Sequence, residues 1–239
     1  MIYLRYFMYR YFIYFIFLLN GGQIMSQELN PLWETHFSFD NVNNIESRDE
    51  YIYASSNNSI FLYNNQTSEL TQLTTKEGLS GEFISSIYFS ENYNKLVIGF
   101  DNGLIQIKDI NTNNIFSIYD IIDKATISPD EKRINNFNEF ADNIYISTDY
   151  GISVFNLDTL EFGDTFFIGI NGSNLKIAEV SITEEYIYAA CKDFGGIKKA
   201  LVNSSLIDFN NWSEVTSGSY SSILSLGNST YFTDNNTIY

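Results

Sequence analysis

Leu96-Val97-Ile98-Gly99-Phe100-Asp101-Asn102-Gly103-Leu104-Ile105 is the stretch whose reading decides the fold. An apolar run closes on a small residue, an Asp-Asn-Gly turn follows, and a second apolar run begins. Such turns supply the positive φ of a tight hairpin whose twist matches the strands it joins. The same unit returns as Ile52-Tyr53-Ala54-Ser55 with Asn57-Asn58-Ser59-Ile60-Phe61, and as Tyr145-Ile146-Ser147 with Asp149-Tyr150-Gly151-Ile152. Two more copies are Ile187–Ala190 with Asp193–Ile197, and Tyr231–Thr233 with Asp234–Ile238. Counted between the small residues Ser55, Gly99, Ser147, Ala190 and Thr233, the spacings are 44, 48, 43 and 43 residues. A period of about 40 to 50 residues with strands inside it signifies propeller blades.

The second unit displays a whole blade, with strands expected at 84–89, 95–99, 104–108 and 114–119 and short polar turns between them. The first strand of each hairpin is apolar because it has neighbours on both sides and sheets above and below. The small residue at its end is expected to let adjacent blades approach where they converge. After the first 26 residues no stretch has a helical period, and 119–125, with Pro129 just beyond, is at most a short turn. The fold class is therefore all-β: a β-propeller of four-stranded blades, with about four and a half blades of an expected seven. From Gln27 there are 213 residues, under five units, so 27–239 reads as a partial propeller of a longer chain.

Residues 1–26 differ from the rest. Arg5 and Arg10 precede the apolar run Tyr11–Leu19, no acid is present, and a polar stretch ends at Ser26-Gln27. This is the layout of a secretory signal peptide cut near Ser26–Gln27: nine uninterrupted apolar residues fall short of the roughly 20 of a spanning helix, which favours cleavage over the alternative, an uncleaved amino-terminal anchor. Over the whole chain 13 Lys and Arg face 29 Asp and Glu, a net charge of −16; beyond the leader the count is 11 against 29. That field repels a phosphate backbone, so nucleic acid is excluded as a partner.

Candidate chemistry is sparse. One His (His36) and one Cys (Cys191) exclude a His-based metal cage, a four-cysteine zinc site and an intrachain disulfide, so no metal or cofactor is expected. Cys191, in the strand-like Tyr188-Ala189-Ala190-Cys191, reads as a small buried thiol. The acid pairs Asp49/Glu50, Asp130/Glu131 and Glu184/Glu185 fall in turns, and Asp101-Asn102-Gly103 lacks the downstream acids of a calcium loop. No catalytic set is expected. Lys198 and Lys199, with Lys192, form the nearest approach to a basic patch. Tyr93, Phe100, Tyr150 and Phe194 occupy or flank turns and are expected exposed along one rim, where their rings could stack on sugar or a partner protein.

Several segments in order carry a family resemblance: Gly78-Leu79-Ser80-Gly81 with Ile84-Ser85-Ser86-Ile87, the 96–105 stretch, Lys132-Arg133-Ile134-Asn135, Ser147–Ile152, and Asp164-Thr165 with Ile168-Gly169 and Gly172-Ser173. From about Trp33 onward the chain resembles propeller repeats of the two-component-regulator type. More narrowly, it is similar to the PorZ-type amino-terminal propeller of the type IX secretion system of Bacteroidetes. The resemblance implies a non-enzymatic protein, exported and placed at the outer surface of the outer membrane. Its implied partners are the sortase PorU, PorV and PorQ, and the anionic lipopolysaccharide to which cargo is attached; a second propeller and a sorting domain would follow. The alternative is the extracytoplasmic glycan-sensing propeller of a hybrid two-component regulator, and a propeller lyase or glycosidase ranks third.

Overall fold

A computed structural model describes residues 41–227, 229–234 and 236–239. The chain divides into units Met1–Phe37 and Ser38–Tyr239, and the described residues belong to the second. The leader at 1–26 and His36 lie outside them. Four antiparallel four-stranded sheets follow one another, each with its strands side by side in chain order. Blade 1 is β1 (Asn44–Arg48), β2 (Tyr51–Ser56), β3 (Ser59–Asn64) and β4 (Leu70–Leu73); blade 2 is β5 (Ile84–Ser90), β6 (Lys95–Phe100), β7 (Ile105–Asp109) and β8 (Ile115–Ile118). Blade 3 is β9 (Ile134–Phe140), β10 (Asn143–Thr148), β11 (Ile152–Asn156) and β12 (Glu161–Phe166). Blade 4 is β13 (Ile177–Ile182), β14 (Tyr186–Cys191), β15 (Ile197–Leu201) and β16 (Ser213–Thr216), after which β17 (Ser222–Leu226) pairs with β18 (Ser229–Thr233). The expected strands of blade 2 fall within a residue or so of those observed, and 119–125 contains only the four-residue helix α1 (Asp120–Asp123).

The repeating hairpin is the middle pair of each blade. The first strands, β1, β5, β9, β13 and β17, are the ones that meet from blade to blade, so they converge on the axis. Apolar faces interlock between sheets: Tyr53, Ile60, Leu96, Ile98 and Phe100 fill the space between blades 1 and 2, and Val97, Ile105, Ile107, Ile134, Phe137 and Ile144 that between blades 2 and 3. Side chains from opposite faces of β6 serve the two interfaces, as period-2 alternation requires. Ser55, Ser147 and Ala190, at the ends of their strands, are fully buried. At the equivalent Gly99, a Cβ would lie 2.6 Å from Ile134 Cγ2 and 2.8 Å from Phe137 Cζ of the next blade, which is the close approach expected of a small residue. Cys191 is fully buried, and burial pushes its thiol up to about 12, where it stays protonated and inert.

A first strand has a partner on one side only, leaving a row of backbone groups open toward the axis. Side chains reach forward to the next blade to satisfy them. Asn44 Nδ2 donates to Ser85 O at 3.2 Å, and Asn135 Nδ2 to Ile177 O at 2.7 Å. Glu179 accepts from the Ile223 N–H at 2.9 Å and from the Ser222 hydroxyl, and Ser181 Oγ accepts from Ser225 N at 2.8 Å. Small polar residues at these places do for the axis what a neighbouring strand does elsewhere.

Glu46, also on the axial strand β1, is the costly residue there. Burial raises its carboxyl to about 7, from an ordinary value of 4.5. A raised folded-state value means that the native state holds the proton more tightly than the unfolded chain, so stability falls as pH climbs from about 4.5 through 7. Glu46→Gln is therefore expected to stabilise the fold by on the order of 1 to 2 kcal/mol at pH 8, after allowing for partial exposure, and to be neutral at pH 4. Urea titrations at the two pH values check this; equal midpoints for the variant and parent at pH 8 would contradict it.

Candidate functional site

One end of the blades carries the β2–β3, β6–β7, β10–β11 and β14–β15 turns together with the segments that enter the axial strands. In blades 2, 3 and 4 the register slips by one residue where the axial strand begins, bulging Ser85, Asn135 and Ala178. A bulge at this point re-aims a side chain out of the ladder. Asn135 and Ala178, with Ser221 just before β17, thus line a cleft of about 420 Å³, joined by Arg133, Lys192, Asp193, Ser219 and Tyr220.

The electrostatics of this face come from pairing turn acids with cations. The turn residues Asp101, Asp149 and Asp193 meet Arg133, Lys192 (3.7 Å) and Lys176 (3.0 Å), respectively. Backbone bonds hold the partners in place: Asp149 N donates to Arg133 O at 3.2 Å and Lys192 N to Lys176 O at 2.9 Å. Lys192 Nζ also donates to Asn135 Oδ1 at 2.7 Å, while Asn135 Nδ2 donates to Asp149 Oδ1 at 2.7 Å. Burial pulls the Lys192 ammonium below the ordinary lysine range, partly offset by Asp149. Arg133 and Lys176 are 40% and 44% exposed, so their pairs are the weak, exchangeable kind that an incoming anion can replace.

Phe194 stands over this face, 85% exposed, in a turn where Asp193 and Phe194 both take left-handed φ, 52° and 64°. Its N–H donates to Ser219 Oγ at 2.7 Å. Bulky residues rarely adopt this conformation, and here it turns an aromatic ring into solvent.

The other aromatic candidates behave differently. Phe100 and Tyr150, expected exposed on the rim, are both fully buried. Phe100 ends β6 pointing into the blade 1–2 core, and Tyr150 tucks into blade 3, its hydroxyl 2.8 Å from Ser153 Oγ. Tyr93 is half-buried. The basic patch is also rearranged. Lys198 and Lys199 sit mid-strand on β15, Lys199 over the Tyr186 ring at 4.7 Å, whereas Lys192 lies at the turn among Asn135 and Asp149. Adjacent residues on a strand face opposite ways, so the three lysines cannot form one patch. Among the described residues, no group of three or more His, Cys, Asp or Glu is placed to hold a metal.

The family model described as "TSS9, PorZ, N-terminal beta-propeller domain" matches residues 52–213. The chain belongs to this family. Among solved structures it is similar to PorZ of Porphyromonas gingivalis, described as an essential bacterial surface component of the type IX secretion system (TM-score 0.68, 18% identity, 84% of this chain and 26% of that one). It is also similar to the extracellular domain assigned to a one component system of B. thetaiotaomicron (0.63, 17%, 86% and 28%). A third similar structure is the computationally designed Ika8 protein (0.59, 13%, 79% and 54%). At these identities the likeness establishes the fold, and the chain spans about a quarter of the two natural proteins. No curated protein matches the sequence.

Arg133 and Asn135 belong to a segment that marks the family resemblance, yet no spacing rule singles them out as site residues. Asn135 reaches its partners from the bulge and Arg133 from the residue just before β9, placements that become visible only once strands are paired.

Proposed function

We propose that this propeller is a non-enzymatic binding module of the type IX secretion surface machinery, exported by the leader at 1–26 and held at the outer face of the outer membrane. In this reading its partners are the sortase PorU, PorV and PorQ, and its ligand is anionic lipopolysaccharide. The observation that carries it is the face on which Arg133, Lys176, Lys192 and Phe194 gather in a chain of the PorZ family. Exchangeable cations beside an outward ring suit a charged sugar, with phosphate or carboxylate on the former and the sugar face on the latter. Phe194 is the one aromatic retained from the sequence candidates; Lys198 and Lys199, off this face, would serve at most a separate contact.

Titration of anionic lipopolysaccharide in vesicles tests this reading. Arg133→Glu combined with Lys176→Glu is expected to weaken binding at least tenfold, and parent binding is expected to fall with added salt. Equal binding by parent and double variant would sink the reading.

The likeness to the extracellular domain of a one component system favours a second reading, a glycan-sensing propeller coupled to a regulator. Reading the gene beyond Tyr239 separates the two: further blades, a second propeller and a sorting domain support the first, and a membrane span followed by a regulatory domain supports the second.

A further inference from the structure

Successive turns of an antiparallel blade lie at opposite ends, so the β1–β2, β3–β4, β5–β6 and β7–β8 turns build the face opposite the one described above. Between blades 1 and 2 that face opens into a cleft of about 500 Å³. Its floor contains Lys108 of β7, only 9% exposed. Along β7, Ile105 and Ile107 turn toward blade 3, while Gln106 and Lys108 turn toward blade 1. Gln106 is used structurally, its amide bonding Gly78 O at 3.2 Å and Ser80 N at 3.0 Å to hold the connection between blades. Lys108 has no such employment. Its ammonium, with three donors, donates to Asn113 Oδ1, and among the described residues no carboxylate lies within ion-pairing distance. Burial pulls the ammonium's pKa down, and the Glu77 carboxylate, outside ion-pairing distance, offsets this only in part, so the charge lacks a close counter-ion.

The other cation of the cleft is already engaged. Arg48 pairs with Asp49 at 3.2 Å, donates to Asn94 Oδ1 and lies 4.9 Å over the Phe89 ring. It forms a wall of the cleft and leaves Lys108 as the charge to be answered. Asp49, Glu50 and Glu69 line the same cleft. They disfavour a polyanion but accept hydrogen bonds from hydroxyls, while Leu62 and Ile110 offer apolar flanks.

We propose that the cleft between blades 1 and 2 binds a hydroxylated monocarboxylate of monosaccharide size, such as a uronic acid. The carboxylate sits on the Lys108 ammonium and the hydroxyls donate to Asp49, Glu50 and Glu69. The site lies on the face opposite Arg133 and Lys176 and does not depend on the function proposed for them.

Calorimetric titration of the full chain with glucuronate, glucose and acetate tests it. Glucuronate is expected to bind at least tenfold more tightly than either of the others, because it alone presents both groups. Lys108→Met is expected to lower glucuronate affinity at least tenfold, in the parent and equally in the Arg133→Glu/Lys176→Glu background, where the opposite face no longer competes for the carboxylate. Glucuronate binding no tighter than glucose, or retained by Lys108→Met, overturns the proposal. Should Lys108→Met fail to fold by circular dichroism, Thr71→Trp, an exposed position on the cleft wall, takes its place: loss of binding supports the site and retention overturns it.

Discussion

Replacing Gly99 with valine is expected to abolish or severely impair folding, and even Gly99→Ala to cost about 1 to 3 kcal/mol. The added Cβ would lie 2.6 Å from Ile134 Cγ2 and 2.8 Å from Phe137 Cζ, well inside contact distance. Neither neighbour can step aside, because both are buried in the close-packed interface of blades 2 and 3. Propeller stability is built from such interfaces, and a domain's whole margin is about 5 to 15 kcal/mol. Urea denaturation of Gly99→Ala provides the number. The double variant Gly99→Ala/Ile134→Ala should recover part of the loss relative to additivity, since the second change removes the methyl that the first one strikes. An unchanged midpoint for Gly99→Ala would mean that the blades do not meet at this residue.

Tyr150 and Phe194 occupy corresponding turns, yet their truncations are expected to have opposite characters. Tyr150→Ala should destabilise by about 3 to 5 kcal/mol. It empties a fully buried site, leaves Ser153 Oγ without its 2.8 Å partner and removes the ring that lies 6.2 Å from Phe167 and beneath Lys124. Phe194→Ala should change stability by no more than about 0.5 kcal/mol, as its ring is in solvent. Phe194→Gly should stabilise by roughly 1 kcal/mol, because glycine accepts the left-handed backbone that phenylalanine resists. Thermal melts of the three variants give the comparison. A large loss from Phe194→Ala would show that the ring packs against something, and it would then no longer serve as a free aromatic on the proposed binding face.

The hairpin was legible because its chemistry is local. Gly103, Gly151 and Gly196 take φ of 88°, 155° and 76°, and the first copy uses Asn57 at 43°, as turns of this composition require. The proposed binding face was not legible in the same way. Arg133 finds Asp101 across 32 residues, and Lys192 finds Asn135 across 57, each bridging two blades. Lys192, Lys198 and Lys199 are close in sequence but separate in space, because a strand sends neighbours to opposite faces and the turn carries Lys192 away from both.

The sequence by itself determined that the chain repeats every 43 to 48 residues as a strand, a small residue, a tight turn and a strand, because these features answer to backbone sterics and period-2 alternation within a few residues. Tertiary structure alone decided which turn aromatics are core and which are surface. A ring beside a turn can swing inward or outward, and the choice follows from the space left by a blade some forty residues away: filled by Phe100 and Tyr150, and refused to Phe194 by a left-handed turn that points its side chain into water.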